Sequence, residues 1–274
     1  MVKEEKTVKV LAERLQPGLT ENERRLLSAA ELGDGDLVRK LLESGEVSAE
    51  VLDSQGRSAL DLAIIGIDES LTSYLMTKVS EQVIHKGLLC SIQHTKTALC
   101  ELILKCTMYN VTNTDQSNLE IYKKSRITQN ETPNGTQQGK KEKEVNGKAK
   151  KMLTEALMHA SIQNNFQIAQ VIMLKGIALH IPHDYFCACE YCIEERQSDY
   201  LGFCNRRLDT FRALASPSYI SLTEEDPVLA CFHLVKKFRR LKQIETEYQV
   251  SRAVKTSIKK YCEQIFYNLI LNKR

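Results

Sequence analysis

Apolar positions in the first third of the chain recur with helical spacing, and the same arrangement returns one unit later. Leu26-Leu-Ser-Ala-Ala-Glu-Leu-Gly33 is echoed by Ala59-Leu-Asp-Leu-Ala-Ile-Ile-Gly66. The echo pairs Leu27 with Leu60, Ala30 with Ala63, Gly33 with Gly66, Val38 with Leu71 and Leu42 with Leu75, a spacing of 33. Each copy predicts two helices with a turn ahead of the first. Asp53-Ser-Gln-Gly-Arg57 supplies that turn, and Ser58-Ala-Leu-Asp-Leu-Ala63 opens the helix that follows. Small residues at Ala30 and Ala63 let paired helices approach closely. Weaker copies follow at Leu88-Leu-Cys-Ser-Ile92 with Leu99, Leu102 and Ile103. Another runs through Ala156-Leu-Met-His-Ala160 with Ile168, Val171 and Ile172, closing at Gly176.

A helix pair repeated at this period is the mark of an ankyrin-type solenoid, so the fold class expected is all-α. One such unit cannot cover its own apolar face, and about three or more must stack to be stable. The expected organisation is an N-terminal arm over 1–22, repeats one to three over 23–110, and a degenerate fourth repeat over 151–180. Between them, 111–150 is polar, with Thr-Pro-Asn-Gly-Thr-Gln-Gln-Gly and then a run of six lysines and two glutamates over 140–151. Such a stretch buries too little apolar area to offset its ordering entropy and is expected to be a disordered insertion. Its lysines read as a solvated linker rather than a nucleic-acid site.

Beyond a connecting segment over 181–225 the pattern changes. Asp226-Pro227 is a helix start, with a capping carboxylate and a proline in the first turn. One stripe runs Cys231, Leu234, Val235, Phe238, Leu241, Ile244 and Tyr248. A second runs Val250, Val254, Ile258, Tyr261, Ile265 and Leu269. Residues 226–274 are therefore expected to form an antiparallel pair of linker helices docked against the repeats.

Composition supports the helical reading, since glycine (12) and proline (5) are scarce for 274 residues. The formal net charge is only +3, yet it is unevenly spread. From Val228 onward eleven basic residues stand against three acidic ones, a net of +8 that leaves −5 for the first 227. A basic tail of this kind can meet an anionic lipid surface weakly, although a solvated helix face has the same composition. The longest apolar runs, such as Leu229–Val235, stop at lysines far short of a membrane span. The charged N-terminus MVKEEKTVKVLAER is no secretory signal, so a cytosolic setting is expected and the sequons at Asn110, Asn130 and Asn134 are chance matches. Nine cysteines in that setting point to reduced thiols and metal ligation rather than disulfides.

The sharpest chemical motif is His183-Asp-Tyr-Phe-Cys187-Ala-Cys189-Glu-Tyr-Cys192. Zinc takes four nitrogen or sulfur donors in a tetrahedron, and a filled shell of three cysteines and one histidine is a structural site. His183, Cys187, Cys189 and Cys192 are the expected ligands, with His180 and Cys204 as possible substitutes for one of them. Reduced cysteines that only pack are the alternative reading of the same residues. His85, His94, His159 and His233 are isolated on helical patterns. No Walker loop, GxSxG or supported carboxylate pair is present, so no enzyme is expected.

This motif, followed by Arg206-Arg-Leu-Asp-Thr-Phe-Arg-Ala-Leu-Ala-Ser-Pro-Ser-Tyr-Ile-Ser-Leu222 and Glu225-Asp-Pro-Val-Leu229, resembles the signature of short (C-type) transient receptor potential channels. The resemblance covers nearly the whole chain. It implies that His183, Cys187, Cys189 and Cys192 are zinc ligands. It also implies a subunit of a tetrameric, calcium-permeable, non-selective cation channel of the plasma membrane, linked to phospholipase C or to store-operated entry. In that picture the repeats and linker helices form a cytosolic skirt that meets neighbouring subunits and other protein partners, and the pore region is absent from this chain. The chain departs from the family in Asp209 and Phe211, where Asn and Tyr are usual, in a longer insertion, and in a more basic linker helix. A free-standing repeat scaffold, binding proteins or anionic membrane, is the other expectation.

Overall fold

The computed structural model describes residues 18–110, 140–183, 186–227 and, apart from 231 and 235, residues 229–236. Helices make up the architecture, and two compact units, 1–110 and 111–274, each hold together internally. All-α is the class found.

The first unit contains α1 (Glu21–Leu32), α2 (Gly35–Glu43), α3 (Ala59–Ile65), α4 (Glu69–Met76), α5 (Glu81–Gln93) and α6 (Thr97–Leu104), closed by a 3-10 turn at Thr107–Tyr109. The helix starts follow from their capping chemistry. Thr20 and Glu23 form a reciprocal capping box at α1, and Ser58 and Asp61 form another at α3. The turn expected ahead of α3 is built on Asp53, whose Oδ1 accepts from the Gln55 and Arg57 N–H groups, each at 2.8 Å. Each first helix packs on the second of its pair, and α1 packs on α3 and α3 on α5. The core between them is Leu26, Ala29, Leu60, Ala63, Ile64, Leu88 and Ile92, with Leu71, Leu75, Leu99 and Ile103 from the second helices.

The same turn joins the helices of every pair. A left-handed residue follows the first helix, and the next residue occupies the N-cap position of the second: Gly33 then Asp34, Ile67 then Asp68, Thr95 then Lys96, the two aspartates also capping with their side chains. Each N-cap residue's N–H reaches back five residues, from Asp34 to Ala29 (2.9 Å), Asp68 to Ala63 (3.1 Å) and Lys96 to Ser91 (2.8 Å). This is the 6→1 hydrogen bond of a Schellman ending. It corrects the register expected between the first two copies. Gly66 has φ −71 and is right-handed, and Ile67 (φ 63) occupies the place of Gly33 (φ 75). Ala29 rather than Ala30 is thus the counterpart of Ala63, and Leu37 rather than Val38 that of Leu71. The capping aspartates, 34 and 68, stand 34 apart rather than 33.

The second unit contains α7 (Lys140–Ile162), α8 (Phe166–Leu174), α9 (Glu190–Ser198), α10 (Tyr200–Leu214) and α11 (Pro217–Thr223). Its first pair uses the turn seen three times above: Asn164 is left-handed (φ 57), Asn165 caps α8, and the Asn165 N–H reaches Ala160 at 2.9 Å. Helix α7 starts at Lys140, so the expected boundary of the insertion at 150 falls inside a helix. Lysine, glutamate and alanine are good helix formers, and the turns beyond 147 bury Ala149, Leu153, Ala156, Leu157 and Ala160. Residues 111–139, the rest of that insertion, lie outside the described residues, as does 1–17 of the arm. Helix α7 also packs on α10 and α11, and α9 packs on α10. At the helix start expected at 226–227, Asp226 Oδ1 accepts from the Leu229 N–H at 3.0 Å, and Ala230 and Leu234 pack on buried Ile220. Most of the linker-helix stripes lie outside the described residues.

Candidate metal centre

The segment after α8 carries the motif. Cys189 occupies the N-cap position of α9, and Cys192 sits in that helix's first turn, buried to 3% exposure. Cys187 lies two residues ahead of the cap, and His183 four residues ahead of Cys187. A helix start thus fixes two of the thiols, and the preceding loop returns the third thiol and the imidazole to the same point. Donor atoms of His183, Cys187, Cys189 and Cys192 all lie within 4.8 Å of one another. His180 and Cys204 are not part of this converging set.

The distances have a particular form. His183 Nδ1 stands 3.5 Å from the Sγ atoms of Cys187, Cys189 and Cys192 alike. One ring nitrogen carries either a single lone pair or a single proton, so it cannot serve three thiols as hydrogen-bond partner at once. A tetrahedron with metal–sulfur bonds of about 2.3 Å and a metal–nitrogen bond of about 2.05 Å has nitrogen–sulfur edges of about 3.6 Å. The donor set and its spacing both fit a zinc-sized, thiophilic cation with four protein ligands.

Protonation follows the same geometry. Burial pushes the Cys192 thiol up to about 12, reinforced by hydrogen bonding and charge from Cys189 and Cys187. Cys189 is lowered, chiefly by the N–H and thiol of Cys192 and then by the Cys187 thiol. The buried Cys192 sulfur thus resists ionising beside a Cys189 thiolate. Three thiolates together call for a metal.

Two arginines complete the site. Arg196, one turn after Cys192 on α9, donates from Nε to the Cys192 carbonyl at 3.0 Å and from Nη2 to the Cys187 carbonyl at 2.6 Å. Arg207, on α10, donates from Nη1 to the His183 carbonyl. Its guanidinium is buried over the rings of Phe203 (5.6 Å) and Phe211 (5.7 Å), one turn to either side. Arg206 pairs with Glu195 and stands 3.7 Å from Asp199, tying α10 to α9. Sequence reasoning did not single out these arginines. The available signal was Arg196 four residues after Cys192, on the same helix face.

Comparison with known proteins agrees with the motif. The family model described as transient receptor ion channel II matches residues 187–249, beginning at the first thiol. Short transient receptor potential channel 3 of Homo sapiens is 28% identical over 232 residues, covering 84% of this chain and 24% of the relative. The transient receptor potential-gamma protein of Drosophila melanogaster is 30% identical over 254 residues, covering 91% of this chain and 20% of the relative. Short transient receptor potential channel 4 of Mus musculus is 26% identical over 261 residues, covering 94% and 24%. The chain spans about a quarter or less of the length of these relatives. With the thiol motif, the Arg206–Leu222 block and this extent of similarity in agreement, the chain belongs to the short transient receptor potential channel family and corresponds to its N-terminal region.

Proposed function

We propose that this chain is the cytosolic assembly and regulatory module of a calcium-permeable, non-selective cation channel subunit of the plasma membrane, working in store-operated or phospholipase C-linked calcium entry. The observation that carries this reading is sequence similarity running through 84–94% of the chain to proteins named as transient receptor potential channels. In this reading the helix pairs are ankyrin-type repeats, four in number, and belong to a skirt beneath the pore. Among the described residues no helix is long and apolar enough to cross a membrane, which suits a skirt. The repeats and linker helices would meet neighbouring subunits of a tetramer. The basic C-terminal stretch would add a weak, salt-sensitive contact with anionic lipid.

His183, Cys187, Cys189 and Cys192 would hold one zinc ion. Bound there, the ion supplies charge compensation for thiolates and a crosslink between loop and helix. Four protein donors leave no open position of the kind a catalytic zinc needs. The work of the centre is therefore structural: it locks the loop between α8 and α9 so that α9 and α10 are presented in one arrangement.

Co-expression with a full-length subunit of the family tests the assembly reading. Joint tetramers recovered in mild detergent are the expected result. A chain that stays monomeric beside an excess of channel subunits would favour a free-standing scaffold instead.

A further inference from the structure

We propose that Arg196 and Arg207 are positioning residues of the metal centre, pre-forming the ligand loop by holding main-chain carbonyls of three of its four donor residues. This rests on the metal reading above and names what holds the site in shape. Cys187 belongs to the loop and Cys192 to the first turn of α9, so their sulfurs meet only if loop and helix are held in register. A single guanidinium spans them, with Nε on the Cys192 carbonyl at 3.0 Å and Nη2 on the Cys187 carbonyl at 2.6 Å. The Cys192 carbonyl can accept this bond beside its helical one because an oxygen has two lone pairs. Arg207 performs the third capture, at the His183 carbonyl, from a helix the loop does not belong to. Its own orientation is set by Phe203 and Phe211 on the same helix face.

Charge favours the same arrangement. Three thiolates, a neutral imidazole and a divalent cation sum to −1, and two guanidinium groups close by offset that charge. A planar fork of donors is what Arg196 needs to serve two carbonyls at once. An ammonium group on a lysine stem is a point charge without that shape. Outer partners of this kind typically change metal affinity 10–100-fold when removed.

The test uses the full chain and zinc competition against a chromophoric chelator. Arg196→Met keeps the apolar stem and removes both donors; its zinc affinity is expected to fall on the order of 10–100-fold, with stoichiometry kept at one. Arg196→Lys keeps the charge without the fork and is expected to fall nearly as far. Unchanged affinity in Arg196→Met, or wild-type affinity in Arg196→Lys, would overturn the proposal. Hydrogen exchange of the metal-free chain over 186–193 separates this from the metal reading. Should the wild-type chain take up no zinc, the metal reading fails alone. Faster exchange in Arg196→Met would still support the clamp, and equal exchange would overturn it. Arg207→Met, at the buried position, is expected to speed exchange at 183 and its neighbours in the same experiment.

Discussion

The Tyr219 hydroxyl is bonded to both main-chain polar groups of Leu179: it accepts from the N–H at 3.0 Å and donates to the C=O at 3.4 Å. Leu179 lies four residues before His183 in the segment that leads from α8 to the metal centre, and Leu179 and Tyr219 are both buried. A side chain on α11 thus takes the place that a neighbouring strand would take for an extended segment. Removing that hydroxyl leaves two buried main-chain groups without this partner. Tyr219→Phe is expected to lower unfolding stability by about 1–3 kcal/mol, read from the midpoint of urea unfolding at constant m-value. An unchanged midpoint would show that solvent reaches Leu179.

Ile67 is a β-branched residue in left-handed backbone, φ 63, at a site where its side chain is 57% exposed. The conformation costs roughly 1–2 kcal/mol, and little packing is gained in return. Asn164 fills the same turn position in the second unit without β-branching. Ile67→Asn is therefore expected to raise stability by about 1 kcal/mol, visible as a higher melting temperature of the full chain. A lower one would mean that the Ile67 side chain packs more than its exposure implies.

Gly87 lies where α5 crosses α3 at short range. A Cβ there would stand 2.9 Å from Leu60 Cδ2 and 3.1 Å from Ile64 Cδ1, both on fully buried side chains. Gly87→Val is expected to overpack this crossing and cost about 1–3 kcal/mol, despite removing a flexible glycine from a helix. Chemical denaturation of the variant beside the wild type measures the balance. Gain of stability would show that Leu60 and Ile64 have room to move.

Metal analysis of the purified chain is expected to give about one zinc per molecule, and Cys189→Ser is expected to lose it and unfold the 180–205 segment. Chelator should lower the melting temperature. A zinc-free protein indifferent to chelator would remove the metal from the account.

The pH dependence has a definite sign. Cys192 is pushed up to about 12 in the metal-free cluster, so its thiol is protonated at neutral pH and must lose that proton on binding zinc. Each proton released makes apparent affinity rise about tenfold per pH unit below the thiol pKa. Competition titrations between about pH 6 and 8 are expected to show at least this slope. A flat profile would mean that the thiols are already ionised without metal.

The sequence alone was enough for the helical class, the helix pairs of the first unit, the Asp53–Arg57 turn and the convergence of His183, Cys187, Cys189 and Cys192. These follow from local rules: periodicity, capping carboxylates and donors close together in the chain. Tertiary structure decided the rest. Leu26-Leu27 and Ala29-Ala30 each offer two adjacent apolar positions, so pairing by similarity fits a spacing of 33 as well as 34, and only the left-handed turn at Ile67 settles the register. The span 140–150 reads as solvated linker by composition, yet it continues a helix whose later turns are anchored by burial. The carbonyl contacts of Arg196 and Arg207 left little trace in the sequence pattern. Main-chain acceptors carry no side-chain identity, and which cation reaches them depends on where α9 and α10 pack.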